Sequence, residues 1–155
     1  MPQLDAFDLL YVVTGLFLQA VLVAHFALRK WAFAVAMRYG VAVYALAFPV
    51  LVITIVLIAA GKPWYQWTAG ILFVSWAVVA YVVDVVWRVD WRPVGWRGPI
   101  RAGALVPYLA LYLAHQMFFW WPLLRYGRGL WLAYTVLYVV STVLNVTSHR
   151  RAEPP

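Results

Sequence analysis

The chain has 155 residues, of which 66% are hydrophobic and only 11% are charged, and its formal net charge is +7. Soluble domains carry roughly 25% charged residues, so this composition excludes a water-soluble domain and predicts a single transmembrane domain over residues 1–155. The positive charges flank apolar runs, which places them against lipid phosphates and argues against nucleic-acid binding.

Five apolar runs approach the roughly 20 residues that cross a bilayer as a helix. They cover about 7–28, 39–60, 67–87, 103–122 and 130–146. The pattern predicts an all-α protein, a bundle of five transmembrane helices. An aromatic and basic link should join the first two helices, and Pro49 should kink the second because proline lacks the backbone N–H.

The positive charges also predict which way the bundle faces. With five spans, nine Lys and Arg residues fall on one side: Arg29, Lys30, Arg38, Arg88, Arg92, Arg97, Arg101, Arg150 and Arg151. The other side has Lys62, Arg125 and Arg128, together with the acidic N-terminal segment. The positive-inside rule then places the N-terminus outside and the C-terminus in the cytoplasm. We expect an integral protein of a prokaryotic inner membrane.

The longest polar interruption, residues 84–101, contains three Trp–Arg pairs. They are Trp87 and Arg88, Trp91 and Arg92, and Trp96 and Arg97. Tryptophan prefers the headgroup level of a bilayer, and arginine binds anionic phosphates. A cytoplasmic loop over about 88–102 is therefore predicted to lie on anionic lipid headgroups, which would be its partners.

Polar side chains recur at helical spacing inside the later spans. A polar group in hydrocarbon is expensive and normally faces the bundle interior or a cavity. The stripes predict a tyrosine-rich seam that binds a ligand, lined by Tyr81, Asp84, Tyr108, Tyr112, His115, Tyr134, Tyr138, Ser141 and Asn145. The alternative is that these groups only form interhelical hydrogen bonds that hold the bundle together.

Two ionisable residues of the seam allow more than one role. His115 could carry a proton or anchor a ligand, or it could be a neutral imidazole bonded to a tyrosine. Asp84 is spaced to form an (i, i+4) ion pair with Arg88. A proton-coupled carrier that uses Asp84 and His115 together is a further possibility.

The sequence gives little support for catalysis or cofactor binding. It has no cysteine and five acidic residues, and it lacks the hydrolase, zinc-protease and phosphate-loop motifs. His25 and His149 could lie at one depth and ligate haem, but His149 fits better as part of the basic tail. We therefore predict no metal, no cofactor and no catalytic residues, and an enzyme is not favoured.

Two classes of function remain. The first is a membrane protein that binds or transports a hydrophobic or amphipathic small molecule in the seam, with His115 as the polar anchor. The second is a non-catalytic accessory subunit of a larger membrane complex; homo-oligomerisation is also open. The direction of the stripes separates them, because convergent stripes indicate a cavity whereas an outward-facing polar stripe indicates a partner.

Overall fold

A computed structural model of the chain describes residues 4–87 and 99–149, and within them the structure is helical, without a strand. The helices are α1 (Ala6–Trp31), α2 (Phe33–Tyr39), α3 (Val41–Ala45), α4 (Ala47–Ala59), α5 (Trp64–Tyr81), α6 (Pro99–Tyr126) and α7 (Arg128–His149). A π-helical turn, Val82–Val86, continues α5. The all-α prediction is confirmed.

Helix α1 shows how local sequence sets a helix start. The Asp5 carboxylate accepts hydrogen bonds from the backbone N–H groups of Phe7 at 2.9 Å and Asp8 at 2.8 Å. Asp8 in turn bonds to the backbone of Asp5, which completes a capping box. Arg29 and Lys30 occupy the last turn, where positive charge complements the helix dipole.

The predicted link between the first two spans is itself largely helical, so the second helical stretch begins at Phe33 rather than near residue 39. Helices α2, α3 and α4 follow one another with breaks at Gly40 and Leu46 only. Pro49 lies in the first turn of α4, and its ring excludes the carbonyl of residue i−4, which is Ala45 at the end of α3. The kink expected from Pro49 therefore appears as a helix break at Leu46, about one turn before the proline.

Helix α6 is longer than its predicted span at both ends. It starts at Pro99, inside the predicted loop of 88–102, and it continues through Pro122 to Tyr126. Pro107 stands well inside the helix. A single residue, Gly127, separates α6 from α7, and its φ of 154° is one that a residue with a side chain rarely adopts.

Four stretches of helix among the described residues are long and apolar enough to cross a membrane. They are Ala6–Trp31, Phe33–Ala59, Trp64–Val86 and Arg128–Thr147. Their outer faces are apolar; on α7, for example, Leu132, Val136 and Val143 are all more than half exposed. A surface of this kind is suited to lipid, as expected for a membrane protein.

The helices pack so that each neighbours those before and after it, and α7 returns against α1. At one end, which we call the outer end, the start of α1 meets the α4–α5 turn and the end of α6, where Tyr126 contacts Asp8. At the inner end, Tyr44 of α3 meets Asp84 in the π-helical turn. Helix α6 also passes Trp76 at Tyr108, so it runs along the bundle between α5 and α7.

Candidate functional site

Seven polar and aromatic side chains from four helices meet in the middle of the bundle. They are Gln19 of α1, Trp76 of α5, Tyr112, His115 and Gln116 of α6, and Tyr134 and Ser141 of α7. We call this set the central cluster. None of its members is more than 7% exposed. Polar groups buried this deeply need partners, because each group that stays unpaired destabilises the fold.

A chain of neutral hydrogen bonds joins α6 to α7 within the central cluster. The Tyr134 hydroxyl donates to Oε1 of Gln116 at 2.6 Å. Nε2 of Gln116 lies 3.1 Å from Nε2 of His115, and Nδ1 of His115 lies 3.0 Å from the carbonyl oxygen of Leu111. A carbonyl can only accept, so Nδ1 carries the proton, and Nε2 accepts from the Gln116 amide. The imidazole of His115 is thus neutral, and both of its ring nitrogens are hydrogen-bonded.

A second polar contact joins α7 to α1. Nε2 of Gln19 donates to the Ser141 hydroxyl oxygen at 2.6 Å, and this hydroxyl donates to the carbonyl oxygen of Tyr138 at 2.9 Å. Both Gln19 and Ser141 are buried. The contact fixes the lateral position of α7, which otherwise presents mostly apolar side chains.

Aromatic rings surround the imidazole. The ring centroid of His115 lies 5.4 Å from Trp76, 5.4 Å from Phe73 and 5.5 Å from Tyr112. Trp76 is itself 5.7 Å from Tyr112 and 6.1 Å from Tyr108. The polar chain therefore lies in an aromatic enclosure of low polarity, where hydrogen bonds are strong and unpaired groups are costly.

Three buried polar atoms of the central cluster have no hydrogen-bond partner: Oε1 of Gln19, Nε1 of Trp76 and the hydroxyl of Tyr112. The Tyr112 hydroxyl faces Ser141, whose oxygen already bonds to Gln19 and Tyr138, and the Trp76 N–H faces the hydroxyl of Tyr108. Neither approach meets the geometry of a hydrogen bond. Each unpaired buried group costs about 1–3 kcal/mol. The three atoms offer one acceptor, one donor and one hydroxyl that can do both.

The predicted seam residues fall into two groups. Tyr112, His115, Tyr134 and Ser141 belong to the central cluster, as expected from their stripes. Tyr108, Tyr138 and Asn145 are half-buried, and Tyr81 is 42% exposed, so these four lie nearer the bundle surface. The predicted stripes therefore converge only in part.

Asp84 has a different environment from the one expected. Its carboxylate accepts a hydrogen bond of 2.5 Å from the hydroxyl of Tyr44, and the Tyr44 ring packs edge-on against Tyr81 at 6.3 Å. The expected partner Arg88 lies outside the described residues. Trp87 is described and 60% exposed, as suits a headgroup contact, whereas Trp91, Arg92, Trp96 and Arg97 of the predicted lipid-binding loop lie outside the described residues.

The stripes did not single out Gln19, Trp76 or Tyr44. The structure nevertheless gives Gln19 and Tyr44 side-chain hydrogen bonds and packs the ring of Trp76 against His115. Gln19 carried a usable signal, since an amide within a long apolar run faces the bundle interior as a rule. Trp76 and Tyr44 carried none, because aromatic residues are common throughout these spans.

A second polar group, which we call the outer cluster, closes the outer end of the bundle. It consists of Asp5, Asp8, Lys62, Gln66 and Tyr126. Lys62 forms ion pairs with Asp5 and, at 3.1 Å, with Asp8. Nε2 of Gln66 donates to Asp8 at 2.8 Å and also contacts the Tyr126 hydroxyl.

The ion pairs of the outer cluster shift two pKa values. The hydrogen bond from Lys62, followed by that from the backbone N–H of Asp8, lowers the pKa of Asp5. Burial by itself lowers the pKa of Lys62, but the hydrogen bonds to Asp5 and Asp8 outweigh it, and the net effect raises this pKa. Both shifts favour the charged pair.

The described side chains include no group of three or more His, Asp or Glu residues that could hold a metal ion. Of the two histidines considered for haem, His25 packs beside Phe26 and against Gly40, and the side chain of His149 lies outside the described residues.

Comparisons with protein-family models, with curated proteins and with solved structures found no match for this chain. No residue role can therefore be transferred to it from a relative. A function must therefore follow from the chemistry of the central and outer clusters.

Proposed function

We propose that the chain is a small integral membrane protein that binds or moves a neutral amphipathic small molecule at the central cluster. The observation that carries this proposal is the set of three unpaired polar atoms on Gln19, Trp76 and Tyr112. None of the three meets the geometry of an interhelical hydrogen bond, and an unpaired buried polar group destabilises the fold. A ligand that satisfies them would recover that free energy on binding.

The chemistry of the atoms suggests what kind of polar group the ligand carries. No member of the central cluster has a formal charge in the tautomer described above, so a charged headgroup would lie there without a counter-ion, at high cost. A hydroxyl can accept from the Trp76 N–H and donate to Oε1 of Gln19, whereas a carboxylate can only accept and an ammonium can only donate. We therefore favour a ligand with a hydroxyl at its polar end.

Different residues of the central cluster would bind the polar and the apolar parts of the ligand. Trp76, Tyr112 and Gln19 would bind the polar end of the ligand, and the aromatic rings would pack on its apolar part. His115 would act indirectly, since its two nitrogens already bond to Gln116 and Leu111. This differs from the expectation that His115 itself anchors the ligand.

We further propose that α6 is the fifth membrane span and that the outer end faces away from the cytoplasm. Helix α6 contacts Asp8 at the outer end and Trp76 in the middle of the bundle, and it extends beyond Tyr108 as far as Pro99, which supports a full traverse. The inner end has the basic residues of the last turns of α1 and α2, which are Arg29, Lys30 and Arg38. The positive-inside rule supports this orientation.

The experiment is native mass spectrometry of the protein extracted gently from its own membranes, with lipid identification of any added mass. We expect a reproducible neutral hydroxyl-bearing molecule. Trp76→Phe removes one donor and should reduce retention roughly 5- to 10-fold, the equivalent of one neutral hydrogen bond. Trp64→Phe is the matched control, because Trp64 is 56% exposed at the outer end. Equal retention in both variants would refute the assignment.

One observation favours the second candidate, an accessory subunit. Tyr81, on the same helix as Trp76, is 42% exposed on the outside of the bundle. A photo-crosslinking residue at position 81 should capture a partner polypeptide in native membranes if this face is an interface, while the same residue at position 136, a lipid-facing valine that is 60% exposed, should not. Absence of a crosslink at both positions would count against the subunit; capture of a second copy would indicate a homo-oligomer.

A further inference from the structure

A small cavity lies between the outer cluster and the central cluster. Its volume is about 10 Å³, and its polar lining comes from Thr14 of α1, Thr54 of α4 and Gln66 of α5. Tyr11 and Phe119 form part of the remaining wall. About 10–15 Å³ is the space that one water molecule requires, whereas a larger ligand does not fit.

The threonines present oxygen lone pairs rather than protons to this cavity. The Thr14 hydroxyl donates to the carbonyl oxygen of Leu10 at 2.7 Å, and the Thr54 hydroxyl donates to that of Val50 at 2.7 Å. A hydroxyl has one proton, so each oxygen can only accept from an occupant of the cavity.

Gln66 supplies a third acceptor. Its Nε2 is directed to the carboxylate of Asp8 and to Tyr126, and because a carboxylate can only accept, this assignment of the amide is fixed. Its Oε1 is therefore on the other side, where it is buried and has no partner, and Gln66 itself is 1% exposed. A buried amide oxygen without a donor is a costly arrangement next to a cavity of this size.

We infer that this cavity binds one water molecule, which donates to Oε1 of Gln66 and to a threonine oxygen. The lining offers acceptors only, and a water molecule can supply two donors. A bare cation is the other species that acceptors attract, but hard cations take about six or more oxygen ligands, and no carboxylate lines this cavity. Water satisfies the lining with the groups that are present.

The bound water links α5 to a neighbouring helix. Gln66 stands on α5, and the two threonines, Thr14 and Thr54, stand on α1 and α4. The two protons of the water reach Oε1 of Gln66 and one threonine oxygen, so the water provides a hydrogen-bonded connection from α5 to α1 or to α4 below the outer cluster. The inference does not depend on the ligand proposed for the central cluster, because it uses different residues.

The test is nuclear magnetic resonance of the full chain in deuterated detergent, with labelled threonine methyl groups. Long-lived cross-peaks from water to the methyls of Thr14 and Thr54 are expected. Thr142 is the internal control: its hydroxyl donates to a carbonyl four residues back in the same way, but its side chain is exposed on α7. If the cross-peaks arose from exchange of threonine hydroxyl protons with solvent, the methyl group of Thr142 would show the same cross-peak to water. An equal cross-peak at Thr142 would therefore overturn the inference.

Two further measurements keep the inference falsifiable. Gln66→Met removes the unpaired acceptor and should abolish both cross-peaks; if this variant does not fold, one of the single variants Thr14→Val and Thr54→Val should weaken the cross-peak at the other threonine. Cross-peaks that persist in the folded variant would exclude the proposed hydrogen bond. Repeating the wild-type spectrum with and without sodium chloride should change nothing, and loss of the cross-peaks with sodium would show a cation site instead of a water site.

Discussion

The same pair of side chains, a glutamine next to a tyrosine hydroxyl, occurs in both polar clusters. In the outer cluster Gln66 contacts Tyr126 beside an ionised Asp8, and the side chains of Lys62 and Asp8 are 13% and 18% exposed. In the central cluster Gln116 accepts from Tyr134 beside His115, and all three residues are 1% exposed. Both glutamines are buried, but the partners of Gln66 include the charged, partly exposed side chain of Asp8, whereas those of Gln116 are neutral and buried.

This difference determines what a lost partner costs. At the outer end water can reach an abandoned donor or acceptor, and charge pairs near solvent contribute about 0–1 kcal/mol. In the core no such replacement is available, so each abandoned group carries its full desolvation penalty. Stability should therefore depend on the neutral cluster more than on the charged one, although the charged one contains the ion pairs.

The largest expected effect is that of Gln116→Leu. It leaves Nε2 of His115 and the Tyr134 hydroxyl without their side-chain partner, so the free energy of unfolding should fall by about 3 kcal/mol. The matched variant Gln66→Leu should cost about 1 kcal/mol, since the Lys62 ion pair with Asp8 remains. Denaturant unfolding in micelles measures both. Equal losses would mean that the two clusters are equally accessible to water.

The packing between the two clusters gives the next largest effect. A methyl group on Gly70 would overlap the hydroxyl of Thr54, so Gly70→Ala should lower the free energy of unfolding by about 1–3 kcal/mol. Removing the obstruction with Thr54→Ala should recover part of that loss in the double variant. Gly103→Ala has no neighbour within 4 Å and should be neutral or slightly stabilising. Strict additivity of the two changes would contradict the close contact.

A smaller effect is expected from Lys62→Met. This variant keeps the length of the side chain but removes the ion pairs with Asp5 and Asp8. The loss should be at most about 1 kcal/mol and should diminish as salt screens the pair. Lys30→Met is the control, because Lys30 lies at the inner end over the ring of Trp31. A loss above that of Gln116→Leu would reverse the ranking of the clusters.

Periodicity predicted part of the central cluster. Tyr112 and His115 are three residues apart, and Tyr134 and Ser141 are seven apart, so each pair lies on one helix face. Since polar groups avoid lipid, that face could be assigned to the interior from sequence. The partners across the bundle could not: Gln19 and Ser141 are 122 residues apart, and only the packing of α7 against α1 joins them.

Helix ends were predicted less well, for a physical reason. Hydropathy reports the length that lies in lipid, whereas a helix ends where its backbone conformation does. Helix α6 runs past Pro122 as far as Gly127, whose positive φ ends it. Likewise the hydrogen bond between Tyr44 and Asp84 depends on how α3 packs against the end of α5, which no local pattern encodes.

The smallest effect is the pH dependence of the outer cluster. The lowered pKa of Asp5 means that its contribution to stability is complete above its ordinary value of 3.8 and is lost as the pH falls through the lowered value. The raised pKa of Lys62 means that its contribution is complete below 10.5 and is lost as the pH rises through the raised value. The free energy of unfolding in micelles should thus be constant at intermediate pH and should decline slightly at low and at high pH. Lys62→Met should remove the alkaline decline and weaken the acid one, because the backbone N–H groups of Asp8 and Phe7 still lower the pKa of Asp5. Lys30→Met should change neither decline; an alkaline decline that survives Lys62→Met would belong to groups other than Lys62.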